Sequence, residues 1–269
     1  MKYKIGDVAR ILGVSTDILR YYERKGVVTP EKDEHNDYRY YDSWHINFLM
    51  DCLWFKNYGF SIEQIADMVR IPTVGELEGL FLGKEEEIRA QIRRLQLLLR
   101  RSEEHRAELA MIDRLLYKCE IAQSPAFVRF IDRIGQNYMT DSVTNEAAKQ
   151  WLTALPFNHR YFEMPGEAIM PGQEEDYRWG YSLSEEYVKE LDFPIVPPMI
   201  CFPSRRCIHT VFKNTGGKGG FSPSLLEYTL DYARRHGIAV YGPIHGVLLC
   251  SVMEEGVLTG YFEAWIPIE

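Results

Sequence analysis

Long apolar runs are absent from this sequence of 269 residues, and none approaches the ~20 residues that a membrane-spanning helix requires. The opening stretch MKYKIGDVARIL also lacks the apolar region and the cleavage site of a secretory signal. From these absences we expect a cytoplasmic protein with no membrane partner. The length suggests about two domains.

Cysteine is scarce and scattered. The sequence has five cysteines, and no two of them form a Cys-x-x-Cys pair. An odd number at wide spacing argues against a disulfide framework and against a structural zinc site. We therefore expect free thiols, most of them buried, and neither a metal nor another cofactor.

Positive charge is in the minority, because the formal net charge is −8. Residues 1–119 hold 19 Lys and Arg against 20 Asp and Glu, whereas residues 120–269 hold 12 against 19. The acidity is therefore mainly C-terminal. A nucleic-acid-binding surface, if present, has to be a local patch in the N-terminal half.

The stretch IGDVARILGVSTDILRYYERKG predicts two helices separated by a turn at Gly13. Ser15 is a good N-cap for the second helix, and Gly26 provides its stop. In that helix Ile18, Leu19 and Tyr22 fall on one side, which leaves the arginines on the other. The spacing is that of a helix-turn-helix.

The stretch HNDYRYYD follows, and its β-prone residues predict a hairpin strand, with Asn36-Asp37 suited to the turn. Such a strand beside a helix-turn-helix makes a wing. The next segment, SWHINFLMDCLWFKNYGFSIEQIADMV, predicts a helix, a stop at Gly59 and a new helix opened by Ser61. A winged helix-turn-helix is the simplest assembly of these elements.

The run YKIGDVARILGVSTDILRYYERKGVVTP, followed by YRYYD and YGFSIEQI, resembles the DNA-binding domain of the MerR family of transcription regulators. The resemblance covers about residues 3 to 70. It implies that the second helix enters the major groove while the wing contacts the flanking backbone. The implied DNA-binding residues are Thr16, Asp17, Arg20, Tyr21, Arg24, Arg39, Tyr40 and Lys56. Lys56 would act beside the free N–H groups of the helix that begins at Ser61. Tyr22 and Tyr41 are expected in the core.

A long helix is predicted from Lys84 to Cys119, since this stretch has no glycine or proline. Apolar residues recur at steps of three and four, as a helix-packing seam requires: Ile88, Ile92, Leu95, Leu99, Leu109, Ile112 and Leu116. A second copy of the chain is the natural partner, which predicts a homodimeric coiled coil. Packing against the chain's own C-terminal domain is the alternative.

The C-terminal part shows the order strand, helix, strand, strand twice. The first copy is FVRFIDRI, SVTNEAAKQWLTAL, RYFEMPGEAIM and DYRWGYSL, and the second is RCIHTVFK, SPSLLEYTLDYARRHG, HGVLLCSV and TGYFEAWIPI. This pattern predicts a pseudo-duplicated α+β domain with an antiparallel sheet. It resembles the GyrI-like effector-binding domains, and the whole chain resembles the BmrR-type multidrug-responsive branch of the MerR family. The predicted segments are 1–75 for DNA binding, 76–119 for the linker and coiled coil, and 120–269 for effector binding.

The last strand places Tyr261, Glu263 and Trp265 on one face, because strand side chains alternate. If buried, a carboxylate between two aromatics needs a positive partner. A cationic aromatic ligand would supply one, and the BmrR-type resemblance implies this role for Glu263. An edge-strand glutamate in solvent is the alternative.

An aromatic stripe on DYRWGYSL supplies further candidates for the ligand site, although such stripes are more often core. These candidates are Tyr177, Trp179 and Tyr181, with Phe162, Tyr241 and His245 as weaker ones.

Together these features predict a homodimeric regulator that binds double-stranded promoter DNA. The resemblance implies that a small effector makes it distort the promoter spacer, so that RNA polymerase can engage both promoter elements. Two alternatives remain: a GyrI-like hydrolase with Glu263 as general base, and a metal sensor using Cys119. The sequence shows neither a nucleophile with a partnered base nor a second ligand near Cys119, so we expect no enzymatic activity.

Overall fold

The computed structural model describes residues 2–32, 38–68, 71, 73–164, 177–215, 221 and 223–269. Its contacts separate the chain into two compact units, Met1–Leu95 and Gln96–Glu269. This separation falls inside a helix, whereas the predicted boundaries follow residues 75 and 119. Within the described part of the chain, no helix is both long and apolar enough to cross a membrane.

The N-terminal unit contains the predicted helix-turn-helix. Helices α1 (Ile5–Leu12) and α2 (Thr16–Arg24) are separated by Gly13, whose φ of 67° suits a residue without a Cβ. The Ser15 side chain caps α2 by accepting a hydrogen bond of 3.3 Å from the backbone N–H of Ile18.

The wing is part of a small antiparallel sheet. Strands β1 (Tyr3–Lys4), β2 (Glu31–Lys32) and β3 (Arg39–Tyr41) lie in the order β1-β3-β2. The β2–β3 pair is the predicted hairpin, and its predicted turn at Asn36-Asp37 lies outside the described residues.

Two further helices, α3 (Ser43–Asn57) and α4 (Ile62–Met68), complete the core of this unit. Leu19, Tyr22, Tyr41, Leu49 and Ile65 are at most 1% exposed in this core. Tyr22 and Tyr41 are therefore core residues, as predicted.

The long helix α5 spans Val74–Leu115, so both predicted ends were wrong. Glycines at 75, 79 and 83 disfavour a helix locally, but Leu77 and Phe81 pack against the N-terminal core. Most helix stability in proteins comes from such packing, which outweighs a weak propensity. At the other end, Ile112 and Leu116 pack against the C-terminal sheet instead of continuing the exposed seam.

The C-terminal unit is built on an antiparallel nine-stranded sheet. Its strands are β4 (Cys119–Gln123), β5 (Phe127–Ile134), β6 (Asn137–Tyr138), β7 (His159–Met164), β8 (Arg178–Ser184), β9 (Ile200–Phe202), β10 (Arg206–Thr215), β11 (Ile244–Glu254) and β12 (Val257–Pro267). Its helices are α6 (Ser142–Thr153), α7 (Glu185–Glu190) and α8 (Glu227–His236), the last preceded by a 3-10 turn at Pro223–Leu226.

The strand order β4-β10-β12-β11-β7-β8-β5-β6, with β9 on β5, shows the predicted duplication. One half contributes β7-β8-β5 and the other contributes β11-β12-β10, and the halves meet where β11 pairs with β7. Each half places its helix at a corresponding chain position, α6 between β5 and β7 and α8 between β10 and β11. The predicted pseudo-duplicated α+β architecture is therefore confirmed.

The two faces of the sheet have different coverings. Phe130, Phe162, Phe212 and Phe262 lie on one face, in the cores that also contain residues of α6 and α8. The opposite face carries Val211, which packs with the C-terminal turns of α5. Because side chains alternate along a strand, neighbouring residues of a strand face opposite sides of the sheet, one covered by α6 and α8 and the other facing α5.

Candidate DNA-binding surface and ligand cavity

Helix α2 carries five of the predicted DNA-binding residues, of which Tyr21 also packs against the core of the unit. Arg20 and Asp17 are exposed and form an ion pair in which Nη1 and Oδ1 lie 3.3 Å apart. Thr16 is half-buried at the first turn, and Arg24 is exposed with its guanidinium 5.7 Å from the centre of the Tyr21 ring. These are short and long polar groups on one helix face, the kind of surface that reads a groove.

The wing residues Arg39 and Tyr40 are half-buried on β3. The Nε atom of Arg39 donates to Oε2 of Glu23 on α2 at 2.6 Å, and the Tyr41 hydroxyl donates to the other oxygen of that carboxylate. Glu23 therefore joins the wing to α2. Sequence reasoning missed it, because the two partners lie 16 and 18 residues away.

Lys56 is exposed in the last turn of α3, as a phosphate contact would require. The helix that begins after Ser61 has fewer free backbone N–H groups than predicted. The N–H of Ser61 donates to the Gln64 side chain, and the N–H of Gln64 donates to the Ser61 hydroxyl. This capping box already satisfies two of the donors that a phosphate would use.

The C-terminal unit contains a cavity of about 890 Å³ between the open face of its sheet and α5. Its floor and walls come from β5, β7, β8, β11 and β12, and its roof comes from the segment of α5 between Glu104 and Arg114. Of the predicted ligand-binding residues, three line it: Glu263, Trp265 and His245. The volume of the cavity and its combination of polar and apolar lining residues suit a small organic molecule.

Glu263 is largely buried, with its side chain 15% exposed, and it already has a protein partner. The Nε2 atom of His209, on β10, lies 2.8 Å from Oε1 of Glu263. The imidazole also stacks on the indole of Trp265, with ring centroids 3.8 Å apart and planes 1° apart. The expectation of a carboxylate waiting for a positive ligand therefore needs correction, because His209 occupies one of its oxygens.

His245, on β11, is 4% exposed, and its ring lies 5.2 Å from that of Phe127. Burial lowers the pKa of His245 to about 4, so the ring is neutral at pH 7. Its Nδ1 faces the carbonyl oxygen of Pro243 at 3.4 Å, and its Nε2 has no hydrogen-bond partner among the described residues. His245 is thus a neutral, buried wall of the cavity.

The remaining predicted ligand residues lie elsewhere. Phe162, Trp179 and Tyr177 belong to the core that includes α8 residues, and Tyr181 stacks near Trp151 of α6. The stripe belongs to the core and not to the ligand cavity: odd-numbered residues of β8 face the helices, while Ser182 and Ser184 line the cavity.

Two further predicted ligand residues also lie away from the cavity. Tyr261 donates its hydroxyl to Glu254 instead of lining the cavity. Tyr241 is 42% exposed and does not line the cavity either.

The roof of the cavity was missed from the sequence. Glu108 accepts hydrogen bonds from Arg101 at 3.0 Å and contacts Nε2 of His159 on β7 at 3.1 Å. Burial raises the pKa of this carboxyl, but His159, His105 and Arg101 outweigh burial and lower it to about 2. Glu108 is therefore ionised and attaches α5 to the sheet.

A second set of contacts attaches α5 to α7. Arg100 binds Glu190 through Nη1 at 2.7 Å and Glu186 at 3.1 Å, and its guanidinium lies 4.7 Å from the ring centre of Tyr187. The Tyr187 hydroxyl donates to Glu104 at 2.8 Å. Both clusters border the cavity, so its roof is held by ion pairs and not by apolar contacts alone.

Cys119, which the metal-sensor alternative would use, is the first residue of β4 and follows the end of α5 at Leu115. Burial raises the pKa of its thiol to about 11, which disfavours the thiolate that binds metals. No cluster of three potential metal ligands occurs in the part of the chain that the structure describes.

Comparison with known proteins identifies the N-terminal unit. Residues 3–70 match the model of the MerR HTH family regulatory protein. The chain is 37% identical over 67 residues to the HTH-type transcriptional regulator CueR of Escherichia coli O157:H7, which is 25% of this chain and 50% of that protein. It is 32% identical over 85 residues to the HTH-type transcriptional activator mta of Bacillus subtilis, 32% of this chain and 33% of that protein.

The chain spans about half the length, or less, of these curated relatives. Both relatives are named as transcription regulators and not as enzymes. Among solved structures, the cryo-EM structure of an EcmrR–DNA complex aligns over 99% of both chains, at 15% identity and a TM-score of 0.36. Residues 3–70 therefore form a helix-turn-helix domain similar to that of the MerR family of regulatory proteins.

Proposed function

We propose that this protein binds promoter DNA as a homodimer and activates transcription when a small cationic aromatic molecule occupies the cavity of its C-terminal unit. The observation that carries the proposal is the position of Glu263. It is a largely buried carboxylate on the cavity floor, next to the indole of Trp265. Aromatic faces and carboxylates are the groups that attract organic cations.

DNA binding is assigned to α2 and the wing, where Arg20, Arg24 and Arg39 lie on exposed or half-exposed surfaces. Because the whole chain carries a net charge of −8, non-specific attraction to DNA is weak. Binding then depends on this local patch and on the doubling of contacts in a dimer.

A second copy of the chain is the proposed partner of α5. Leu95 and Leu99 are 64% and 62% exposed, and Ile88 and Ile92 are 38% and 48% exposed. These four residues follow steps of three and four on the helix, so they form one apolar stripe. An exposed stripe of this kind is unstable in water and typical of a helix that pairs with another copy.

The same helix provides the route from ligand to DNA. α5 roofs the cavity with Glu104, Met111 and Arg114, and residues 88–99 of the same helix form the exposed stripe. A ligand that fits only one position of the roof shifts the helix between two arrangements, by the difference in its affinity for them. Distortion of the promoter costs several kcal/mol, which this difference has to supply before RNA polymerase can engage both promoter elements.

The experiment compares a cation with a neutral molecule of nearly the same shape. Methyltriphenylphosphonium and triphenylphosphine oxide differ mainly in charge, so calorimetric titration of both separates charge from packing. Glu263→Gln should weaken binding of the cation by about tenfold and leave the oxide nearly unchanged. The control is Glu254→Gln, a carboxylate on β11 bound to Lys213 and Tyr261 and away from the cavity.

Equal losses for both molecules, or none, would show that Glu263 does not receive the cation. A cation that binds no better than the oxide to the unaltered protein would reject the proposed ligand class. Tighter DNA binding or promoter activation on addition of the cation then tests the regulatory step.

A further inference from the structure

His209, on β10, lies between two carboxylates, one of which is Glu263 of the cavity lining. Its Nε2 is 2.8 Å from Oε1 of Glu263, and its Nδ1 is 3.1 Å from Oε1 of Glu120 on β4. The ring is buried, with its side chain 6% exposed. Both contacts are within hydrogen-bonding distance, so each ring nitrogen has one carboxylate as its partner.

Only the imidazolium can donate from both ring nitrogens, since a neutral ring has one donor and one acceptor. A neutral His209 would direct a lone pair at a carboxylate oxygen on one side. Glu120 is held in place by Nη2 of Arg114 at 3.2 Å, and this hydrogen bond lowers the pKa of the Glu120 carboxyl. The contact with Glu120 therefore favours keeping the Nδ1 proton.

The groups that face the ring come from three elements. β4 contributes Glu120, β12 contributes Glu263 and the stacked indole of Trp265, and α5 contributes Arg114 behind Glu120. The formal charges of Arg114, Glu120, His209 as imidazolium and Glu263 cancel. In this state Glu263 offers the cavity a carboxylate that is already neutralised by its neighbour.

We propose that His209 is the specificity-determining residue of this cavity, which takes a cation in exchange for the Nε2 proton of His209. The inference rests on the proposed function. On binding, the ligand's positive charge replaces that of the imidazolium at Glu263, the Nε2–H bond breaks, and the proton passes to solvent. His209 keeps its Nδ1 proton and its hydrogen bond to Glu120. A neutral ligand makes no such exchange.

Proton exchange has a measurable signature. Binding of a permanently charged cation releases up to about one proton, so its affinity rises with pH, by up to about tenfold per pH unit. Binding of the matched neutral molecule releases none. The ring also decides which ligands the cavity prefers, because raising the pH favours cations over neutral molecules of the same shape.

The test has a ligand-free arm and a ligand arm. Nitrogen-15 NMR of histidine-labelled full-length protein, assigned with His209→Asn, should show a His209 ring with both nitrogens protonated at pH 7. Calorimetry of methyltriphenylphosphonium in buffers of different ionisation heat counts the protons released, with triphenylphosphine oxide as the neutral counterpart. His236→Asn is the control, because His236 is exposed on α8.

In His209→Asn the cation should bind at least as tightly as to the unaltered protein, without proton release and without pH dependence. His209→Gln serves the same purpose if His209→Asn does not fold. A neutral ring at pH 7 in the ligand-free protein would overturn the proposal. So would tight cation binding without proton release, although the proposed function would then stand. Equal binding of both probes with a charged ring would instead reject the proposed ligand class, and the exchange with it.

Discussion

Oε2 of Glu23, on α2, lies 2.6 Å from Nε of Arg39 on the wing, and the other oxygen of that carboxylate accepts the hydroxyl of the buried Tyr41. One side chain thus joins the two elements that are proposed to contact DNA. Since the Glu23 side chain is only 12% exposed, its bonds are shielded from water.

Glu23→Gln should lower the free energy of unfolding by about 1–2 kcal/mol, because it removes a charge-assisted pair of hydrogen bonds from a shielded site. It should also weaken DNA binding, since the wing loses its attachment to α2. Urea denaturation measures the first effect and operator titration the second. Asp17→Asn, which removes the exposed partner of Arg20, should change stability by under about 0.5 kcal/mol. Equal stabilities of the two variants would contradict the shielding argument.

Arg20→Ala should weaken operator binding by about 1–3 kcal/mol with little change in thermal stability, because the side chain is exposed and its ion pair is a surface one. The operator is obtained by selection from random duplexes, and titration is performed at fixed salt. Arg234→Ala removes the same charge from an exposed position on α8 and should leave affinity unchanged. If both variants bind like the unaltered protein, α2 is not the recognition helix.

Replacing Leu95 and Leu99 together by Asp should convert the dimer to monomers and abolish tight operator binding, because two buried charges cannot be accommodated in an apolar helix pair. Analytical ultracentrifugation gives the mass, and circular dichroism shows that the units remain folded. The matched control replaces Val143 and Leu152 on α6, which are 57% and 54% exposed, by Asp. A double variant that stays dimeric would place the interface elsewhere.

Stability should fall as the pH drops from about 6.5 to 4, in part through His245. Burial lowers its pKa to about 4, so between these values the unfolded chain binds a proton that the folded chain does not. The contribution is fully present above about pH 6.5, and its loss towards pH 4 amounts to roughly 3 kcal/mol.

Urea denaturation of His245→Gln at about pH 7.5 and pH 4.5 should therefore show a weaker pH dependence than the unaltered protein. His236→Gln, at an exposed position, is the control and should retain the full dependence. Parallel pH profiles for all three proteins would show that His245 is not buried as a neutral ring.

The amino-acid sequence by itself determined the helix-turn-helix, the wing, the duplicated strand and helix order, and the alternation that places Glu263 with Trp265. These features depend on neighbours within a few residues. Examples are the N-cap at Ser15, the glycine at position 13, and the spacing of apolar residues, which is two in a strand and three to four in a helix. Local sequence carries them because the backbone geometry of a helix or a strand is itself local.

Only the tertiary structure decided which elements cover each face of the C-terminal sheet. α6 and α8 cover the face that holds Trp179, so the aromatic stripe is core, whereas α5 leaves a cavity over the face that holds Glu263. His209 reaches Glu263 across 54 residues because β10 pairs with β12 in one register. Strand pairing and helix placement depend on the packing of the whole unit, and no local pattern encodes which distant charge will neutralise a buried carboxylate.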